Sequence, residues 1–135
     1  MNKGYVILGA TICLTSIIMG AFGAHLIENN LGERAADIFD TAATYQMYHG
    51  LAIILITILM TYFQSSLFKK AIYFFLAGTI CFSGSLYLLA FKAKLGSLIS
   101  IIGPITPVGG LLFIIGWGLF ILGVLHGRPV RFKKE

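Results

Sequence analysis

Residues 95–127 read LGSLISIIGPITPVGGLLFIIGWGLFILGVLHG, with no charged side chain if His126 is neutral. A helix needs about 20 mostly apolar residues to cross a hydrocarbon core of about 30 Å, and this run is longer than that. Gly103-Pro-Ile-Thr-Pro-Val-Gly-Gly110 divides it. The prolines lack amide donors and crowd the preceding turn, so one unbroken helix through both is not expected. The run reads as a short apolar segment at 95–102 followed by a span at 108–125. Lipid does not tolerate unpaired backbone, so the break must be shielded by protein or lie at the interface.

Residues 4–27, 41–68 and 71–91 are also uncharged, again with histidine neutral, and give spans at about 5–24, 45–63 and 71–91. The first run imitates a signal peptide, with Lys3 ahead of it and small residues at Gly20-Ala-Phe-Gly-Ala24. Its apolar core exceeds the usual 7–15 residues, so it reads as a permanent span. Between the first two spans, Leu31, Ala35, Ile38 and Ala42 follow helical spacing, with Glu33, Asp37, Asp40 and Thr41 opposite. Residues 31–44 are therefore an amphipathic surface helix or the extramembrane start of the second helix. Gln64-Ser-Ser66 is a turn.

Composition agrees. Hydrophobic residues make up 58% of the 135 residues and charged residues 11%, where a soluble domain carries roughly a quarter charged. Too little polar surface remains to cover a core in water, so part of the solvent is lipid. The expected fold is a single all-α domain, 1–135: an integral membrane four-helix bundle.

The net charge is +5. With the N-terminus inside, Lys3, Lys69, Lys70, Arg128, Arg131, Lys133 and Lys134 lie inside, and Arg34, Lys92 and Lys94 outside. The reverse orientation violates the positive-inside rule. Both termini are therefore expected in the cytoplasm, with the acidic stretch 28–40 outside. The short basic tail suits anionic headgroups better than nucleic acid. Cys13 and Cys81 sit in apolar stretches and read as packing residues rather than a disulfide.

Small residues mark close helix contacts, on which membrane helices depend. Gly9, Cys13, Ser16, Gly20 and Gly23 form one face of the first helix, and Gly109, Gly116 and Gly123 recur sevenfold in the last. Ala77, Cys81 and Gly84 offer a third seam. The seams serve packing within the chain or a homo-oligomer. Tyr5, Tyr62 and Tyr73 fall at the inner ends of the helices, and Tyr45, Tyr48 and Tyr87 nearer the outer ends. Trp117 lies mid-helix, filling a groove or facing a partner.

Histidine within a membrane is costly and usually faces protein or water. His25 and His49 are both expected near the outer face, with Tyr45 one turn from His49. One reading brings the two imidazoles together on a metal, a haem or a polar ligand, although two are too few for a closed zinc site. The other has them hydrogen-bonding across helices, to Thr44, Gln46 or a backbone carbonyl. The segment with Gly103, Pro104, Pro107 and Gly109 is either a broken-helix ligand site, as in transporters, or a turn before the last helix. Phosphate-binding glycine loops, nucleophile elbows, metalloprotease motifs and paired intramembrane carboxylates are absent from the sequence. No catalytic residue, metal ligand set or cofactor is therefore assigned.

The motifs at Gly20-Ala-Phe-Gly-Ala-His25, Thr41-Ala-Ala-Thr-Tyr-Gln-Met-Tyr-His49-Gly-Leu-Ala52, Phe82-Ser-Gly-Ser-Leu-Tyr-Leu-Leu89 and 103–110 occur in the order of a known family. The chain resembles the domain-of-unknown-function 423 family of small bacterial membrane proteins, to which the eukaryotic transmembrane protein 256 is similar. The resemblance covers nearly the whole chain and implies four membrane helices, but supplies no activity or site residue. The leading expectation is a non-enzymatic bundle in the cell membrane, packing in the lipid bilayer against itself or another membrane protein. One alternative is a carrier or channel for a small solute or lipid, with a hydrated cavity lined by Tyr45, His49 and Thr106. The other is a haem- or metal-binding redox subunit using both histidines.

Overall fold

The computed structural model describes residues 2–91, 96 and 99–130. Among them are four helices long and apolar enough to cross a membrane. We number them α1 (Lys3–Leu31), α2 (Glu33–Leu59), α3 (Ser66–Ala90) and α4 (Ile105–His126). They pack in chain order, α1 on α2, α2 on α3 and α3 on α4. Large apolar side chains such as Ile7, Leu14, Ile80, Ile114 and Leu125 stand exposed on the outside, as a lipid solvent permits.

Local chemistry sets the helix ends. Asn2 caps α1 by accepting from the Gly4 amide at 3.0 Å, and Ser65 caps α3 by accepting from Leu67 at 3.3 Å. Gly32 separates α1 from α2 at φ +85°, in the left-handed region that favours glycine. The amphipathic stretch is not a separate surface helix, because α2 runs unbroken from Glu33. The helix stops at Leu59 rather than Phe63, with Thr61 and Tyr62 bonding back to Ile58 and Leu59 in a turn.

Three other boundaries move. α1 continues past Ala24 through a π-turn, Gly23–Ile27, into Glu28–Leu31. α3 begins at Ser66, so Lys69 and Lys70 ride its first turns rather than a loop. α4 begins at Ile105, with Pro104 as its cap and Pro107 in its first turn. First-turn amides have no helical acceptor, so Pro107 costs no hydrogen bond there. The break is thus a turn at residues 103–104 after the short helix Ile99–Ile102. Residues 95, 97 and 98 of the preceding apolar segment lie outside the described residues.

Two glycine seams hold the bundle together. On the first, an added Cβ at Gly9 would meet the Gly50 carbonyl at 2.8 Å, and one at Gly50 would meet Cys13 Sγ at 2.7 Å. Ser16 donates to the Ala43 carbonyl at 2.7 Å, and Gly23 lies under Phe39. The small face foreseen on the first helix is therefore spent on α2. Cys13 and Cys81 are free and half-buried.

The second seam joins α3 to α4. Phe68, Phe75 and Phe82 recur every seven residues, and each sits on a glycine of α4: Gly123, Gly116 and Gly109. The contact is reciprocated once, by Phe113 of α4 on Gly78 of α3. Thus α3 contributes phenylalanines and Gly78, not the seam through Ala77, Cys81 and Gly84; a Cβ at Gly84 would meet nothing within 4 Å. Phe68 and Phe75 are fully buried in the main core with Ile53, Ile56 and Ile72.

One end of the bundle is also tied. Phe63–Gln64 pairs antiparallel with Arg128–Pro129, and the Tyr5 and Tyr73 hydroxyls meet at 3.4 Å. Lys3, Lys69, Lys70 and Arg128 therefore share one end, opposite the acidic stretch. Lys92, Lys94, Arg131, Lys133 and Lys134 lie outside the described residues.

The seam sets a stability prediction. A Cβ at Gly116 would stand 2.6 Å from Phe75 ring carbons, whereas one at Gly118 would meet nothing within 4 Å. Gly116→Val should lower unfolding stability in detergent by about 1–3 kcal/mol, as overpacking does. Gly118→Ala should stay within about 0.5 kcal/mol of the parent.

Candidate functional site

His49 lies sixteen residues into α2, well inside the span rather than near its outer end. It is 96% buried, being 4% exposed. Its Nδ1 is 2.7 Å from the Tyr45 carbonyl one turn back, so its polar contact stays within the helix. A carbonyl only accepts, so Nδ1 carries the proton in the neutral ring and Nε2 presents a bare lone pair. Nε2 is buried and has no partner among the described residues, as is Ser83 Oγ in the π-turn Thr79–Ser83. Such orphaned groups are uncommon in folded proteins.

Aromatic rings hold the imidazole. Phe113 stacks on it with centroids 3.4 Å apart and planes 6° from parallel, and Phe75 meets it edge-on at 5.1 Å. Phe113 is placed by Gly78 and Phe75 by Gly116, so the α3–α4 seam positions both. Beside them lies a recess of about 500 Å³, lined by Tyr45, Tyr48 and His49 of α2, Phe82 of α3, and Gly110, Phe113, Ile114 and Trp117 of α4. Tyr48, Ile114 and Trp117 are exposed, so the recess opens on the lipid-facing side. Trp117 fills a groove wall, one of the two roles its mid-helix position allowed.

The structure does not bring the sequence candidates together. His25 is exposed in the π-turn of α1. The Gly9–Gly50 and Gly23–Phe39 contacts put it roughly 20 Å along the bundle from His49, at 1.5 Å per residue. A haem or metal shared by the two is not built. Thr106 bonds Ser85 at 2.7 Å and does not line the recess. The wall is mostly aromatic. Gly103 and Pro104 form the turn, Pro107 opens α4, and Gly109 is filled by Phe82 backbone. No three His, Cys, Asp or Glu side chains converge among the described residues.

Gln46 does the cross-helix bonding considered for His49. Its amide donates to the Ile12 carbonyl at 3.1 Å and Thr15 Oγ1 at 2.7 Å, and accepts from the Tyr87 hydroxyl at 2.8 Å. This pins α1, α2 and α3 together, and Tyr87 is half-buried there rather than free at the interface. Cross-helix hydrogen bonds in membranes average roughly 0.6 kcal/mol each. Gln46→Leu should thus cost about 1–2 kcal/mol in unfolding stability, and Tyr87→Phe should add little once Gln46 is gone, as a double-mutant cycle would read.

The protein family model described as "Protein of unknown function (DUF423)" matches residues 19–110, which hold all four sequence motifs, His49 and the 103–104 turn. A UPF0382 membrane protein of Staphylococcus saprophyticus is 42% identical over 123 residues, covering 90% of this chain and 96% of that protein. Another, from Staphylococcus haemolyticus, is 42% identical over 120 residues, covering 89% and 93%. The Bacillus subtilis UPF0382 membrane protein is 35% identical over 124 residues, covering 91% and 97%. No solved structure matches. With its four membrane-length helices, this chain is a membrane protein and belongs to the DUF423 family of unknown function.

Proposed function

We propose that this protein is a non-enzymatic membrane bundle that holds a small amphiphile of the lipid phase in the recess between α2 and α4. The supporting observation is the buried, unpaired Nε2 of His49 in the wall of an aromatic recess. Both glycine seams are consumed inside the chain, so they no longer speak for a partner. A recess of about 500 Å³ lies within the usual range for small-molecule sites, roughly 300–1,000 Å³. With no acidic side chain in the recess lining, the imidazole suits binding better than acid–base chemistry. A homo-oligomer is a second reading, favoured by α1, whose substantial contacts beyond its own turns are with α2 alone.

The protein is read as multi-pass in the cell membrane with both ends cytoplasmic. Lys3, Lys69, Lys70 and Arg128 at one end support this orientation.

Two measurements test this reading. A diazirine-bearing fatty alcohol photolysed with the protein in lipid nanodiscs should label Tyr48, Ile114 and Trp117 above other lipid-facing residues. Gly110→Leu should abolish that excess by filling the recess. Uniform labelling of all exposed faces would count against it. For orientation, cysteines placed at Asn30 and Ser66 in a background lacking Cys13 and Cys81 should react from outside and only after permeabilisation, respectively. The reversed pattern would overturn the topology.

A further inference from the structure

We infer that the recess selects a ring bearing a hydroxyl donor and an apolar tail, a tailed hydroquinone, with that hydroxyl donating to His49 Nε2. This rests on the amphiphile-binding reading and names its ligand class. The Nδ1 proton is committed to the Tyr45 carbonyl, which leaves Nε2 able only to accept. A ligand that completes the site must therefore bring a donor. A ketone, ester or ether oxygen gains nothing at that atom.

The walls choose the rest of the ligand. Phe82 and Phe113 stand 5.5 Å apart, and Tyr45 lies 4.7 Å from Phe82 and 6.3 Å from Phe113. These are the spacings at which aromatic rings stack or meet edge-to-face, so the wall is a set of ring faces and edges. A flat ring finds partners there that a flexible chain does not. The mouth lies on the lipid side, where an apolar tail remains in hydrocarbon. Nε2 is shielded within the wall, so a donor reaches it only when a side chain of the lining moves aside; Tyr48 and Trp117 of that lining are exposed, at 58% and 39%.

The test uses the full chain in nanodiscs and competition against the photolabel. Decylhydroquinone should displace the label from the recess about tenfold more effectively than its dimethyl ether, since one hydrogen bond to an otherwise unpaired buried acceptor is about a factor of ten. The oxidised quinone should rank with the ether. His49→Phe should keep the labelling and lose the preference. Nitrogen-15 spectroscopy of the unsubstituted ring covers the case in which that variant does not fold. With His25 and His126 replaced by Asn, the His49 Nε2 resonance should move on adding decylhydroquinone and stay put with the ether. Recess labelling with equal displacement by hydroquinone and ether would overturn the donor selection while leaving amphiphile binding intact. Absence of recess labelling would overturn both. An Nε2 resonance already hydrogen-bonded without ligand would mean that water or lipid supplies the donor, and would also overturn it.

Discussion

The structure depends on phenylalanines of α3 lying where α4 has no side chain: the rings of Phe68 and Phe75 at Gly123 and Gly116, and the backbone of Phe82 at Gly109. Apolar burial does not drive helices together in lipid, because the tails are as apolar as the residues; contact must come from close packing. Phe68, Phe75 and Phe82 seated on Gly123, Gly116 and Gly109 supply that contact along most of the length of two helices. The sevenfold spacing on both sides keeps one face of each helix toward the other, as in coiled coils. A β-carbon at any of the three glycines would push the helices apart.

The same seam makes the candidate site. Gly78 lets Phe113 lie back against α3, and Phe113 then covers one face of His49. Gly116 admits Phe75, which closes on the imidazole edge-on. The backbone carbonyl of Tyr45 fixes the tautomer. These contacts bury the ring and leave Nε2 without a bond. A polar atom in such surroundings forgoes roughly 1–3 kcal/mol until something donates to it. Gln46 shows the contrasting solution one turn away, where every arm of an amide is paired across three helices.

Much of the fold was legible. Four uncharged runs gave four helices, and the small face of α1 fell on the α2 backbone, because membrane thickness and backbone clearance are properties of short stretches. Ends were less legible, since capping by Ser65 and the tolerance of Pro107 in a first turn depend on where the helix begins. The α3 seam does not follow from Ala77, Cys81 and Gly84, because the contact pairs large residues of α3 with small ones of α4. The sevenfold phenylalanines 68, 75 and 82 were the available signal. At the site, His49 and Tyr45 stood out by residue type, but Phe113, Phe82 and Gly110 did not, since their role arises from register between α2, α3 and α4. Nothing in the local sequence separated His25, exposed in a π-turn, from His49, buried in aromatics.

The central claim is that His49 Nε2 is an unpaired acceptor in the wall of a lipid-accessible recess. An experimental structure of the protein purified in native lipid, at a resolution that shows side-chain hydrogen bonds, tests it most directly. The account predicts an ordered amphiphile between α2 and α4 with a donor within about 3.2 Å of Nε2. A recess without an amphiphile, with Nε2 bonded to another side chain of the protein, would contradict it.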